Sequence, residues 1–226
     1  MDTYILNIET ATKNCSVSIA KNGLLLVYKD INTGNYSHAE SLHPLIEALL
    51  KETNLDFKDL NAVAVGKGPG SFTGLRIGVS AAKGLCFALQ IPLLAIDSLT
   101  ILAKALTIKE GYVIPLLDAR RMEVYTAVYD ANQNKISAIE AKILEENSFT
   151  EFLDKAPVYF LGDGVEKFKA ICTHQNAVFK DGYFPSAKEM ASLSYLKHKK
   201  NDIEDVAYFE PFYLKDFLVT QSKKSN

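Results

Sequence analysis

Residues 66–78 run Gly-Lys-Gly-Pro-Gly-Ser-Phe-Thr-Gly-Leu-Arg-Ile-Gly, and the predicted fold turns on this glycine loop. The loop follows the apolar run 62–65 and opens a second apolar run, which predicts a strand, a glycine turn and a helix. Glycines let the backbone approach another molecule closely, and Ser71 or Thr73 can cap the helix. Free N–H groups at a helix start suit an anion, so the loop is a candidate nucleotide or partner site.

Two nucleotide-binding motifs with similar glycine spacing do not fit this loop. A P-loop needs a lysine directly after its last glycine, whereas Lys67 lies inside the turn. The dinucleotide fingerprint needs a third glycine at the position that Ser71 occupies. A glycine turn that serves only packing therefore stands as the alternative to a nucleotide site.

The composition predicts a soluble cytoplasmic protein. Of the 226 residues 48% are hydrophobic, which is enough for a core without disulfides, and the three widely spaced cysteines predict neither a disulfide framework nor a zinc cluster. The N-terminus lacks a signal-peptide pattern, and no apolar run approaches the roughly 18 residues of a membrane span. A formal net charge of −2 argues against tight independent binding to nucleic acid, so a partner would supply the cationic groove for any RNA.

The first half of the chain predicts one complete unit of strands and helices. In chain order its elements are strands 4–8, 16–20 and 24–29, a helix from residue 37, strand 62–65, a helix to residue 90, strand 93–96 and helix 98–106. Asn22-Gly23 is a strong hairpin signal between the second and third strands. Ser37 and Glu40 form the pattern of a capping box at the start of the first helix.

The second half of the chain repeats the same order of elements without repeating the sequence. Its predicted elements are strands 112–117, 122–129, 135–141 and 158–161, helices 148–154, 165–172 and 186–197, and a polar tail after residue 218. The predicted domains are an N-terminal lobe, residues 1–106, and a C-terminal lobe, residues 107–226. The fold class is α/β, with two lobes of the actin-like ATPase and sugar-kinase type, each a mixed sheet with a leading antiparallel meander flanked by helices.

Polar side chains cluster at two predicted strand ends. Glu9 has two interpretations: it binds a water-coordinated cation, or it accepts hydrogen bonds from the N–H groups of its own turn. Asp118, Arg120, Arg121 and Glu123 predict a structural turn with ion pairs, and a functional role for that turn stays open. The four histidines are predicted to be surface or hydrogen-bonding residues rather than metal ligands.

Several stretches of the chain resemble the family called TsaB or YeaZ. They are Ile8-Glu9-Thr10, the helix 37–50, the glycine loop from Gly68 to Gly78, the segment 118–125 (Asp-Ala-Arg-Arg-Met-Glu-Val-Tyr) and the segment 211–214 (Pro-Phe-Tyr-Leu). The resemblance spans nearly the whole chain, and the glycine loop is its most specific part. That loop also occurs in looser form in the paralogue TsaD.

The metal ligands of TsaD-like proteins decide between the two paralogues. In those proteins two histidines four residues apart follow the proline that ends the helix after the glycine loop. Pro92 resembles that proline, and the positions in register with the histidines are Ser98 and Leu102. Neither side chain can replace an imidazole, so we expect no metal site and no catalytic residue.

The resemblance implies a role in making N6-threonylcarbamoyladenosine (t6A), the modified tRNA adenosine next to the anticodon. In that family TsaD transfers the threonylcarbamoyl group, TsaB is its non-catalytic partner, and the ATPase TsaE joins them. The chain would then meet tRNA only through the complex and have no cofactor of its own, although ATP or ADP could be shared at the interface with TsaD. The candidate loop for a nucleotide or partner comprises Glu9, Thr10, Gly68, Gly70, Ser71, Thr73, Gly74 and Arg76.

A surface for TsaD or for a second copy of the chain is predicted on the first lobe. The candidate interface residues follow helical spacing and are Leu42, Leu45, Ile46 and Leu49, although such a stripe is also typical of a core. Two other classes of function stay open. One is an enzyme acting alone, either an ATPase or sugar-kinase-like protein or a zinc glycoprotease-like peptidase, and the other is a regulatory homodimer that binds a nucleotide.

Overall fold

The computed structural model describes residues 2–32, 34 and 37–215. The first half of the chain supplies strands β1 to β5 and helices α1 to α3. In chain order they are β1 (Tyr4–Glu9), β2 (Cys15–Lys21), β3 (Leu24–Ile31), α1 (His38–Thr53), β4 (Ala62–Gly68), α2 (Phe72–Leu89), β5 (Leu93–Asp97) and α3 (Ser98–Lys104), with a 3-10 helix at Phe57–Asp59.

The second half supplies six further strands and three further helices. They are β6 (Tyr112–Asp118), β7 (Glu123–Thr126), β8 (Tyr129–Asp130), β9 (Glu140–Ile143), α4 (Thr150–Leu153), β10 (Val158–Leu161), α5 (Val165–Lys169), β11 (Ala177–Lys180) and α6 (Ala191–Lys199), which a 3-10 helix at Ala187–Met190 precedes.

The two halves form two sheets with the same strand order. The first sheet is ordered β3-β2-β1-β4-β5 and the second β9-β7-β6-β10-β11, with β8 paired beside β6. In each sheet the first three strands are antiparallel and the last two are parallel to the central one. The predicted fold class, two lobes that each begin with an antiparallel meander, is confirmed.

Some local predictions differ from the structure. The third strand of the second lobe begins at Glu140 rather than 135, because Gln133 adopts a left-handed φ of 64° and Lys135 makes only an isolated bridge to Tyr129. Strand β11 was not predicted, since its four half-buried residues show no alternation. The capping box does not form: the Ser37 side chain makes no cap hydrogen bond, and its carbonyl oxygen accepts the N–H groups of Glu40 and Ser41 instead.

The segment after residue 185 packs against the first sheet. Ala187 and Met190 share a buried cluster with Ile5, Ala62 and Leu94, on the side of the sheet opposite α1 and α2. The predicted domain boundary at residue 107 stays a prediction. Residues after 185 belong to the predicted C-terminal lobe but pack against the sheet of the N-terminal lobe. The polar tail after residue 218 lies outside the described residues.

The predicted interface residues of α1 belong to the core. Leu42, Leu45, Ile46 and Leu49 are all buried, and they pack with the first sheet and with α2. In this structure the four side chains are core residues, and the predicted interface of α1 with TsaD or a second copy stays a prediction. The helical stripe is what an amphipathic helix buries against its own sheet, and residues such as Glu47 form the exposed face.

Helix α2 also corrects the expectation about apolar runs. Its 18 residues are long and apolar enough to cross a membrane by length and composition alone. In the structure α2 packs along β4. The buried residues of α2 include Leu75, Val79, Ala82 and Cys86. This packing accounts for the buried apolar residues of α2. All three cysteines are free and buried.

Candidate functional site

The glycine loop brings α2 into direct contact with the turn between β1 and β2. Gly74 and Gly78 are four residues apart on one face of α2, and Gly70 lies just before the cap residue of the helix. A Cβ atom at Gly70 would overlap the carbonyl oxygen of Ala11, and one at Gly74 or Gly78 would overlap the carbonyl or hydroxyl oxygen of Thr10. No side chain larger than hydrogen fits at these three positions, so this face of the motif serves close packing.

Hydrogen bonds fasten the same turn to the helix. The Ser71 N–H donates to the Ala11 carbonyl at 2.7 Å, and the Thr10 hydroxyl donates to the Gly74 carbonyl at 2.8 Å. His38 Nε2, at the start of α1, donates to the Thr12 carbonyl at 2.7 Å, so the predicted hydrogen-bonding role of that histidine is confirmed. Ser71 rather than Thr73 caps α2, since its hydroxyl oxygen accepts the Gly74 N–H at 3.3 Å.

Glu9 lies at the end of β1, fully buried beneath these contacts. Its Oε1 accepts the Ala11 N–H at 2.7 Å and its Oε2 accepts the Ser98 hydroxyl at 2.9 Å. Gly66 faces the carboxylate so closely that a Cβ there would overlap it. Burial raises the pKa of Glu9 to about 7, although both hydrogen bonds lower it in part. Of the two interpretations of Glu9, this geometry fits the second, in which the carboxylate accepts a hydrogen bond from an N–H group of its own turn.

The two positions in register with metal-binding histidines have other roles. Ser98 donates its hydroxyl to Glu9, and Leu102 is fully buried in an apolar cluster between the lobes with Val113 and Leu161. Among the described residues no group of three His, Cys, Asp or Glu side chains is arranged to hold a metal ion. The donor set at this place is one hydroxyl and one carboxylate, which does not fit zinc.

Arg76 is held on the surface by the C-terminal segment. Its guanidinium lies 3.9 Å from the centre of the Phe72 ring, and its Nε donates to the Tyr213 hydroxyl at 3.2 Å. The Phe212 N–H donates to the Lys67 carbonyl at 2.8 Å. The segment 211–214 therefore crosses the glycine loop, a contact that sequence reasoning could not find because 137 residues separate Arg76 from Tyr213.

The turn between β6 and β7 contains the second conspicuous group of charges. Asp118 accepts the Arg120 N–H at 2.5 Å and the Lys167 ammonium at 2.8 Å, and Glu123 pairs with Lys215. The predicted ion pairs form, but their cations come from α5 and the C-terminal segment instead of from the two arginines. Arg120 and Arg121 are exposed and have left-handed φ values of 70° and 51°.

The structure brings together only part of the predicted loop set. Glu9, Thr10, Gly70, Ser71 and Gly74 meet where β1 ends, whereas Thr73 and Arg76 lie on the exposed side of α2 and Gly68 faces the C-terminal segment. Sequence reasoning missed Gly66, which could have been found from its place directly after the apolar run of β4. It also missed the role of Ser98, which becomes visible only when β1 and α3 are adjacent.

Comparison with known proteins places this arrangement in a family. A family model described as TsaD, tRNA N6-adenosine threonylcarbamoyltransferase, matches residues 34–221. The tRNA threonylcarbamoyladenosine biosynthesis protein TsaB of Buchnera aphidicola is 32% identical, with 89% of this chain and 93% of that protein covered, and that of Bacillus subtilis is 30% identical with 93% of each covered. The chain belongs to the TsaB family. TsaB of Escherichia coli is 29% identical, with 94% of each chain covered.

Solved structures of YeaZ and of a protein similar to it have the same fold. YeaZ from Pseudomonas aeruginosa superposes with a TM-score of 0.80 at 28% identity, covering 94% of this chain and all of that one. A protein described as similar to the peptidase YeaZ, also from Pseudomonas aeruginosa, gives a TM-score of 0.81 at 27% identity with the same coverage. The family resemblance predicted from the glycine loop is confirmed.

The glycine face of α2 predicts a sharp contrast between two alanine substitutions. Gly74→Ala should lower the free energy of unfolding by roughly 2 kcal/mol or more, because its Cβ must displace the β1–β2 turn. Gly84→Ala should raise it by up to about 1 kcal/mol, since a Cβ there meets nothing within 4 Å and alanine favours a helix. Urea unfolding of both variants measures the difference, and equal effects would contradict the packing role of Gly74.

The buried carboxylate predicts a pH dependence of stability. The pKa of Glu9 is raised from 4.5 to about 7 in the folded state, so the folded state binds the extra proton and unfolding becomes easier as pH rises through this range. The shift corresponds to about 3 kcal/mol. Glu9→Gln removes this titrating group. Between pH 4.5 and pH 8, its free energy of unfolding minus that of the wild type should therefore rise by about that amount. Parallel stability profiles for the two proteins would refute the predicted shift.

Proposed function

We propose that this chain is the non-catalytic partner subunit of TsaD, required when the threonylcarbamoyl group is transferred to the tRNA adenosine next to the anticodon. Membership of the TsaB family supports the pathway, because its curated members are described as tRNA threonylcarbamoyladenosine biosynthesis proteins. The observation that carries the non-catalytic role concerns the two positions in register with metal-binding histidines: the Ser98 hydroxyl is hydrogen-bonded to Glu9, and Leu102 is part of a buried apolar cluster.

The same geometry weighs against the chain acting alone as an ATPase or peptidase. A catalytic zinc needs three protein ligands and an open position, and this place offers a hydroxyl, a leucine and a sealed carboxylate. Glu9 lies beneath the glycine helix with both oxygens accepting protein hydrogen bonds, so it is poorly placed to organise a nucleotide and its metal. TsaD would carry out the chemistry and TsaE would join the complex, and this chain would engage tRNA only as part of that complex.

The contact with TsaD is proposed on the exposed face of α2. Ser80, Gly84 and Phe87 follow one another at helical spacing on that face, and Phe87 is 81% exposed. Small residues beside an exposed aromatic ring let a partner helix approach closely while the ring fills a pocket. The same face would serve a homodimer in the absence of TsaD. An ATP or ADP shared at the interface, like cytoplasmic location, stays a prediction.

Reconstitution of tRNA modification tests the function directly. TsaD, TsaE, tRNA and a supply of threonylcarbamoyl-AMP are combined with and without this chain, and modified adenosine is measured by mass spectrometry of digested tRNA. We expect modification only when the chain is present. Undiminished modification without it would overturn the proposal, and so would ATP or peptide hydrolysis at enzyme-like rates by the purified chain alone.

The proposed surface predicts different results for two equally exposed aromatic residues. Phe87→Glu should weaken TsaD binding about tenfold or more, since it places a charge in the interface. Tyr208→Glu is the matched control, because Tyr208 is 84% exposed but lies outside α2. Binding is measured by calorimetry and folding by circular dichroism. Equal loss of binding in both variants, or none in Phe87→Glu, would exclude this face.

A further inference from the structure

The turn between β6 and β7 contains two arginines in a strained backbone conformation. Arg120 and Arg121 have φ values of 70° and 51°, a region that costs a residue with a Cβ atom free energy. Single residues elsewhere in the chain also adopt this region, as Gln90, Gln133 and Phe149 do. A hairpin turn that needs it at two successive residues normally uses asparagine and glycine, and the β2–β3 turn does so with Asn22 and Gly23, at φ 53° and 83°. Arginine at both positions therefore contradicts the preference of the backbone.

The surrounding structure holds this strained turn in place. Asp118 accepts the Arg120 N–H at 2.5 Å, and its own N–H donates to Asp163 at 2.9 Å. Across the turn, the Ala119 N–H donates to the Glu123 carbonyl at 3.0 Å. Strain that neighbouring bonds maintain is typical of binding and catalytic positions, because it presents side chains in one arrangement.

The charges of the turn do not cancel. Lys167 neutralises Asp118 and Lys215 neutralises Glu123. Arg120 and Arg121 are exposed, and neither forms an ion pair with any residue in the described ranges 2–32, 34 and 37–215. The turn thus presents two uncompensated positive charges on a chain whose formal net charge is −2. Two adjacent exposed guanidinium groups without a carboxylate partner have the chemistry that suits an anion.

We propose that the Arg120-Arg121 turn contacts the phosphodiester backbone of tRNA. A guanidinium binds phosphate with a planar pair of N–H donors, which lysine cannot match. A small nucleotide would be mostly enclosed by its pocket, whereas both arginines stand on the surface, as a long strand lying across them requires. Two phosphate contacts are too few for tight binding, so the other subunits supply the rest. This inference rests on the proposed function and assigns the chain a direct contact with the substrate.

The sharpest test replaces both arginines with the residues that the backbone prefers. Arg120→Asn together with Arg121→Gly removes the charges and the strain at once, so the midpoint of thermal unfolding should rise. In the complex with TsaD, tRNA affinity should fall about tenfold near 0.15 M salt, and the slope of log affinity against log salt should decrease by about 1.5. Fluorescence anisotropy with labelled tRNA measures both quantities. Higher stability combined with weaker tRNA binding is the expected result.

Two matched variants separate the specific contact from general charge. Lys199→Gln with Lys200→Gln removes the same charge from the exposed end of α6 and should leave tRNA affinity unchanged. Arg120→Lys with Arg121→Lys keeps the charge but loses the paired donors, and it should give an intermediate affinity. Equal weakening by the Lys199 and Lys200 variant would overturn the proposal, because the effect would then follow net charge.

Other outcomes overturn the proposal in distinguishable ways. If the Asn-Gly variant loses TsaD in calorimetry, the turn binds an acidic protein surface, and if it loses only ATP binding, the turn binds a nucleotide. Unchanged tRNA affinity, in a complex whose wild-type form supports modification, would remove this inference and leave the proposed function intact. If the wild-type chain neither binds TsaD nor supports modification, the proposed function fails and the inference fails with it.

Discussion

The close approach of α2 to the β1–β2 turn is the constraint on which the rest of the first lobe depends. Three glycines at four-residue spacing let α2 touch the β1–β2 turn. This contact also buries Glu9. Because Glu9 is fully buried, its carboxylate oxygens need hydrogen-bond donors from the protein. The Ala11 N–H and the Ser98 hydroxyl provide them. The bond to Ser98 then fixes the start of α3. The glycine face of α2 thus positions β1, α2 and α3, and with them the region between the two lobes.

The equal strand order of the two sheets places Glu9 and Asp118 at corresponding positions, each at the end of the central strand. Each carboxylate accepts the N–H group two residues further on, from Ala11 and Arg120. Their surroundings differ, because a glycine helix covers Glu9 whereas Asp118 is exposed and paired with Lys167. The same carboxylate-to-N–H hydrogen bond thus occurs beneath a covered turn in one lobe and beside an exposed, left-handed turn with two arginines in the other.

The sequence was sufficient for features that depend on neighbouring residues. The glycine loop predicted the strand, turn and helix, Asn22-Gly23 predicted the hairpin, and Ser71 was one of two predicted caps. Features that depend on distant contacts could not be predicted. The stripe with Leu42 and Leu49 has the same spacing whether it faces a sheet or a partner, and only the buried position of α1 decides. The bond between Ser98 and Glu9 likewise joins residues 89 positions apart.

The path of the C-terminal segment has a consequence for synthesis on the ribosome. The cluster that contains Ile5, Ala62 and Leu94 is completed by Ala187 and Met190, and the edge strand β5 receives its bridge from Glu204. The N-terminal sheet therefore emerges long before the residues that cover one of its faces. While the middle of the chain is being translated, that apolar face and strand edge are open to chaperones or to misassociation. Completion of the lobe made first waits for residues made near the end.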